Sequence, residues 1–198
     1  MHPKIIEEAL QTLQKGGVIA HATDTCYGFA TDIFNEGALK RLYSLKNMAE
    51  TKPVSILVSS LAEAEGYAEF NDFARVLARK YWPGALTLVL PRKKTLPDFL
   101  NRGVATVGIR VPNHSLSLEL VKLFGRPITT TSANVTTCPT PYTVEQINFQ
   151  FKSHTLKPDY IIDSGELSTE NLPSTIIDLT QDTPHIIRQG SLLVSEMP

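Results

Sequence analysis

A mixed α/β fold, one sheet with helices packed on it, is the class this sequence predicts. Three observations lead there: helical stripes alternate with short apolar strands through most of the 198 residues, strand patterns crowd together near the end, and no repeat or linker interrupts them. Length favours one domain with a substantial core, so residues 1–198 are read as a single domain. Hydrophobic residues at 42% and charged residues at 20% are ordinary soluble values, which leaves little room for a disordered or fibrous chain.

The elements follow from local pattern. "IIEEALQTLQKGG" places apolar residues at 5, 6, 9, 10 and 13 and stops at a Gly-Gly pair, which predicts a helix feeding the strand "VIAHA". A second helix is predicted from about Asn35 to Lys46, with a buried-type strand "VSILV" after it. "NDFARVLARKYW" predicts a third helix ended by Pro83 and Gly84; "ALTLVLP" is a strand that Pro91 terminates, and "ATVGIRVP" is another. "SLSLELVKLFG" is an amphipathic helix ending at Gly125, and "PITTTSA" a strand that opens into a long loop. Thr143 and Gln146 match a capping box for the helix "VEQINFQF". The closing runs "DYIID", "STIIDL" and "HIIRQG" read as strands in hairpin or edge pairing.

Charge and motif absences exclude several classes. Net charge is −1, from 19 basic and 20 acidic residues, so the whole surface cannot act as a polyelectrolyte and any anion site must be local. Cys26 and Cys138 form no CxxC, and His2, His21, His114, His154 and His185 are scattered, so neither a disulfide framework nor a metal site is predicted. There is no GxxxxGK[ST], GxGxxG or GxSxG, which removes the usual phosphate-loop, dinucleotide and hydrolase readings. The apolar runs "IAHA" and "LTLVL" are too short to cross a bilayer, and "MHPKIIEEAL" lacks a secretion-signal core. A cytoplasmic protein with no membrane partner is expected.

Four stretches and one late cation carry candidate chemistry. In "ATDTCYGFATD", residues 22–32, hydroxyls and acids surround Tyr27-Gly28, which suits either an ordinary turn or close approach to a ligand. "LKNMAETKPVSILV" sets Lys46 at a helix end and Lys52 before a strand, as macrodipole complement or as ligand. "VGIRVP" embeds Arg110 beside Gly108. Its guanidinium needs a carboxylate or phosphate, unless its head reaches water. In "ITTTSANVTTCPTP", residues 128–141, Ser132, Asn134 and Thr140 are least explained by β-branched packing; hydroxyls and an amide at a strand's carboxyl end suit a nucleotide's phosphates and sugar. Arg188, in "HIIRQG", adds a cation on a short apolar strand.

Read together and in this order, these stretches resemble the Sua5/YciO/YrdC family. "ATDTCYG" matches its Pro-Thr-Glu/Asp-Thr-x-Tyr-Gly segment, "KNMAETKP" part of its Lys-x-Arg and Lys/Asn-Pro motif, Trp82-Pro83-Gly84 its "WPG" turn, and "IRVP" its Arg-x-Pro strand end. "SAN" matches its Ser-x-Asn signature, and "STIIDL" and "RQG" its later motifs, so the likeness spans nearly the whole chain. The resemblance implies a twisted mixed sheet flanked by helices around a concave, positively lined cavity. The implied reaction is synthesis of L-threonylcarbamoyladenylate and pyrophosphate from L-threonine, bicarbonate and ATP, for the t6A modification of tRNA.

It further implies that Thr25, Arg110 and Ser174 hold threonine, and that Lys46, Lys52, Thr106, Ser132, Asn134, Thr140 and Arg188 hold ATP. Lys46, Lys52, Ser132 and Asn134 would serve catalysis, and Mg²⁺ would arrive with the phosphates without a protein cage. Ending at Pro198, the chain is expected to be the single-domain form, passing its product to tRNA through other t6A-pathway proteins. One departure stands out: Met48 occupies the arginine position of Lys-x-Arg and offers neither charge nor donor, so Lys52 or Arg41 would have to compensate. That departure keeps a second reading open, a YciO-like nucleotide- or double-stranded-RNA-binding protein with little synthase activity, for which "PRKK" at 91–94 is the local hint. The related carbamoyl-transferring domain of hydrogenase maturation proteins sits in a much longer chain.

Overall fold

The expected helical stripe winds into α1 (Pro3–Gln14), and Gly16 turns the chain at φ +77°. The computed structural model describes residues 3–181 and 183–194, so His2 lies outside them. Next come β1 (Ile19–Ala22) and β2 (Tyr27–Ala30), an antiparallel hairpin in which Ile19 faces Ala30 and Ala22 faces Tyr27. The second strand of this hairpin was read from sequence only as part of a turn-like motif. Helix α2 (Glu36–Leu45) is capped by the Asn35 side chain, which accepts from the Ala38 N–H at 3.0 Å, and Lys46 is its C-cap, close to the predicted bounds.

After β3 (Ser55–Leu57) comes α3 (Leu61–Ala64), too short to show a stripe but started by the Ser60 side chain. Helix α4 (Asp72–Tyr81) is capped by Asn71, then β4 (Leu86–Pro91) and β5 (Thr106–Arg110) pair antiparallel. Gly125 ends α5 (Ser115–Phe124) at φ +75°, β6 (Ile128–Ser132) follows, and Thr143 caps α6 (Val144–Gln150). The Gln146 carboxamide reaches back to the Tyr142 N–H at 2.6 Å, one residue before the cap. Three short strands complete the set: β7 (Tyr160–Ile161), β8 (Thr175–Asp178) and β9 (His185–Arg188).

All nine strands join one mixed sheet in the order β7-β1-β2-β6-β3-β5-β4-β8-β9. The last three do not cluster as expected. β8 and β9 form an antiparallel pair beyond β4, whereas β7 pairs parallel with β1 at the opposite edge.

Period-two alternation then divides one face of the sheet into a covered half and an open half. Ala30, Leu57 and Ile128 lie in the apolar cluster under α1 and α5. Two residues along the same strands on the same face stand Gly28, Ser55 and Thr130, which line a cavity instead. On the other face Ile56, Leu86, Leu88 and Ile109 are fully buried in the cluster that includes α3 and α4 residues. The cavity exists because α1 and α5 cover only part of their face.

Gly190 shows how tightly the far edge closes. A Cβ there would overlap the Pro173 carbonyl and lie 2.5 Å from the Ser174 carbonyl carbon. Gly190→Ala is therefore expected to lower stability by about 1–3 kcal/mol in urea unfolding, because the backbone before β8 must move. An unchanged midpoint would show that this edge has room to spare.

Candidate functional site

On the open half of the sheet face lies a cavity of about 310 Å³. Its walls include Thr25, Lys52, Arg110, Ser132, Thr140, Ser174 and Arg188, so seven of the ten residues singled out from sequence converge there from six separate segments. Thr23, Cys26, Gly28, Ser55, Thr87, Thr130 and Thr131 also line it and were not singled out. Thr87 had a visible signal, a hydroxyl inside the apolar run "LTLVL". Among the described residues three cations and no carboxylate line the cavity, a charge pattern that suits anions.

Arg110 is 5% exposed, and its guanidinium is gripped from within the chain. Nη2 donates to Asp24 Oδ1 at 2.5 Å, Nη1 to Thr25 Oγ1 at 3.1 Å and Nε to the Gly84 carbonyl at 3.1 Å. The anion demanded by a buried arginine is thus supplied first by Asp24, a partner the sequence reading missed. Burial lowers the Arg110 pKa, and Asp24 opposes that shift. Three of five donors are used, leaving one N–H on each terminal nitrogen. At Gly108, two residues back on the same face, an added Cβ would lie 2.3 Å from Ser55 Oγ and 3.1 Å from Ser55 Cβ, so the Ser55 side chain would have to shift.

Arg188 leans on Ser174. Its Nε and Nη2 donate to the Ser174 carbonyl at 3.0 and 2.8 Å, and Nη2 also reaches Ser174 Oγ at 3.2 Å. That hydroxyl in turn shares a hydrogen bond with Thr87 at 2.9 Å. Burial lowers the Arg188 pKa; Cys26 opposes that shift, and the neighbouring Arg110 charge adds to it by a smaller amount. Burial likewise raises the pKa of the Cys26 thiol. Among the described residues no carboxylate pairs with Arg188 or Lys52.

Three expected site residues do not line the cavity, and the reasons are physical. Lys46 is 2% exposed, and its Nζ donates to the Ser132 carbonyl, to the Asn134 carbonyl at 2.8 Å and to Asn134 Oδ1 at 3.1 Å. An ammonium has three donors and all three are occupied, so none remains for a phosphate. Burial lowers its pKa to about 8, with the Lys52 charge adding to the shift. Asn134 sits beneath the surface too. Its Oδ1 accepts from Ser132 Oγ at 2.6 Å and its Nδ2 donates to the Cys138 carbonyl at 2.5 Å. Thr106 shares a face with Gly108 and Arg110 but starts the strand, about 13 Å from Arg110 at the usual rise.

The break at position 48 also resolves. Met48 is half-buried and packs against the large apolar cluster, away from the cavity lining. Arg41 cannot compensate, because Asp159 holds it in two hydrogen bonds of 2.7 and 2.6 Å. Lys52 lines the cavity and is the remaining candidate. The basic run at 91–94 forms no free patch: Arg92 donates to the Leu100 and Pro97 carbonyls, and Lys93 to the Glu65 carbonyl. His21 is a buried core residue near Ser117, with its pKa lowered to about 4 by burial and then by His114. Among the described residues no group of three or more His, Cys, Asp or Glu is arranged to hold a metal ion, and none of the described helices is long and apolar enough to cross a membrane.

Comparison with known proteins agrees with this architecture. The Sua5/YciO/YrdC family model, described as "Telomere recombination", matches residues 11–190. The threonylcarbamoyl-AMP synthase of Pyrococcus abyssi is 35% identical over 186 residues, covering 93% of this chain and 54% of its own. A putative threonylcarbamoyl-AMP synthase of Methanocaldococcus jannaschii is 34% identical over 194 residues, covering 98% of this chain and 89% of its own. The crystal structure of P. abyssi Sua5 complexed with L-threonine matches with a TM-score of 0.88 at 35% identity, over 94% of this chain and 54% of that one. E. coli YciO matches with a TM-score of 0.87 at 28% identity, over 98% and 93% of the two chains. This chain therefore spans about half the length of the P. abyssi relative and nearly all of YciO. By sequence and by fold, it belongs to the Sua5/YciO/YrdC family.

Proposed function

We propose that this chain is a threonylcarbamoyl-AMP synthase acting on L-threonine, bicarbonate and MgATP. The observation that carries this reading is the convergence of Lys52, Arg110 and Arg188 on one cavity with no carboxylate among its described lining residues. Threonine's amine and bicarbonate form a carbamate with loss of water. A carbamate oxygen then bonds to the α-phosphorus while the bond to pyrophosphate breaks, so two anions must approach each other. Cations fixed in advance reduce that repulsion, and no protein nucleophile is needed.

In this assignment Arg110, Thr25 and Ser174 hold threonine, its carboxylate meeting the free guanidinium donors. Lys52, Arg188, Ser132 and Thr140 face the nucleotide. Lys46 and Asn134 act from behind by holding the Ser132 strand end in place. In this reading Mg²⁺ arrives with ATP as part of the MgATP substrate, held by the phosphates. A cytoplasmic location, and transfer of the product to tRNA through partner proteins, complete this reading.

A second reading has one observation in its favour. With Met48 packed against the core, the cavity has one cation fewer than the family motif supplies, a departure that fits a YciO-like nucleotide-binding protein with little synthase activity. Pyrophosphate release from ATP, with threonine and bicarbonate omitted in turn, separates the two. The synthase reading expects release only when both are present, and nucleotide binding without turnover would overturn it.

The role given to Lys46 has its own test. Its pKa is about 8 in the fold against 10.5 when free, so between those values the unfolded chain binds more protons and this group makes stability rise with pH. Lys46→Met is expected to abolish that slope and to lower stability at pH 7 by roughly 1–3 kcal/mol, as carbonyls lose their donor. Parallel profiles between pH 8 and 10.5 would show that burial does not depress the Lys46 pKa, and unchanged stability at pH 7 would show that the ammonium is not the clamp.

A further inference from the structure

Between α2 and β3, residues 46–54 form neither helix nor strand, yet they deliver Lys52 to the cavity. The Lys52 ammonium has no hydrogen-bond partner among the described residues. A lysine ammonium swings on a flexible four-carbon stem, so the backbone that carries Lys52 sets the region its charge can reach.

Two side chains from outside the segment hold that backbone. Tyr43, 6% exposed on α2, donates its hydroxyl to the Lys52 carbonyl at 3.1 Å. Asn101, 3% exposed, uses its whole carboxamide on Val54: Oδ1 accepts from the Val54 N–H at 2.9 Å, and Nδ2 donates to the Val54 carbonyl at 2.9 Å. The pair imitates one rung of a sheet ladder, placed just before β3 begins. Pro53 lies between the two anchors and fixes its own φ, so an orientation set at Val54 passes to Lys52 with little slack.

Asn101 is itself held in an unusual state. Its φ is +51°, a left-handed conformation that asparagine tolerates better than most residues. The turn before it is braced by Arg92, whose Nη1 and Nη2 donate to the Leu100 and Pro97 carbonyls at 2.6 and 2.7 Å. The basic run that hinted at RNA thus supplies a buttress under the Asn101 turn.

We infer that Asn101, together with Tyr43, is a positioning residue that sets Lys52 for the nucleotide's phosphates. The inference rests on the assignment of Lys52 to ATP in the proposed function. Neither residue touches substrate, so its loss should appear in the KM for ATP more than in kcat or in the KM for threonine.

A double-mutant cycle tests this in the full chain. Lys52→Ala alone is expected to raise the KM for ATP about tenfold, as for a lost charge-assisted hydrogen bond. Asn101→Gly, which keeps the left-handed φ accessible and deletes both amide bonds, should raise it several-fold, with the threonine KM within about twofold. The double variant should be no worse than Lys52→Ala, because a misplaced lysine and an absent one are equivalent. An unchanged ATP KM in Asn101→Gly, or effects that multiply in the double variant, would overturn the inference while leaving the Lys52 assignment intact. If Lys52→Ala itself leaves the ATP KM unchanged, the assignment fails and the inference with it. Tyr43→Phe removes a single oxygen and runs the same cycle should Asn101→Gly not fold, with the same outcomes deciding.

Discussion

Like charges crowd one small space in this protein, and much of the site's construction answers that constraint. Arg110, Arg188 and Lys52 face a cavity of about 310 Å³, and among the described residues no lining carboxylate separates them. Each is managed differently. Arg110 is neutralised from behind by Asp24, Arg188 is held by the Ser174 carbonyl and hydroxyl, and Lys52 stays exposed on an anchored backbone. A buried arginine with three satisfied donors stays put, whereas an exposed one braced on a carbonyl keeps its charge available for a ligand. An anion entering the cavity relieves repulsion already built into the fold.

Keeping such groups in place requires a stiff frame, and the frame is drawn from the sheet centre. β6 stands between β2 and β3, and its carboxyl end is tied to the end of α2 by Lys46, whose backbone carbonyl also accepts from the Thr136 N–H at 2.8 Å. One lysine therefore joins a helix end, a central strand and the loop beyond it. The hydroxyl-rich stretch at 128–141 divides accordingly. Thr129 is fully buried and its Oγ1 accepts from the Thr31 N–H, Thr130 and Ser132 line the cavity, and Asn134 braces the loop. Strand packing and cavity lining both occur along this stretch, Thr129 serving the first and Thr130, Thr131 and Ser132 the second.

How much of this was legible depended on the range of the interaction. Helix ends were readable because caps act within three or four residues, as at Asn35, Gly125 and Thr143. Polar residues set in apolar strands were readable as candidates, and most of them do converge. Directions were not readable. Whether Lys46 turned outward or inward depended on carbonyls 86 and 88 residues away, and Arg41 was captured by Asp159, 118 residues on. Met48 could be recognised as a lost donor, but its packing on the core could not. The separation of β7 from β8 and β9 is likewise a matter of long-range pairing, to which two- and four-residue strands give no local clue.

A cavity built for a polyanion should accept pyrophosphate, the fragment released in the proposed reaction. Calorimetric titration with pyrophosphate should give one saturable site that competes with ATP, weakens as salt is raised, and vanishes when Lys52 and Arg188 are both changed to alanine. Binding that survives the double change, or no binding at any ionic strength, would contradict it.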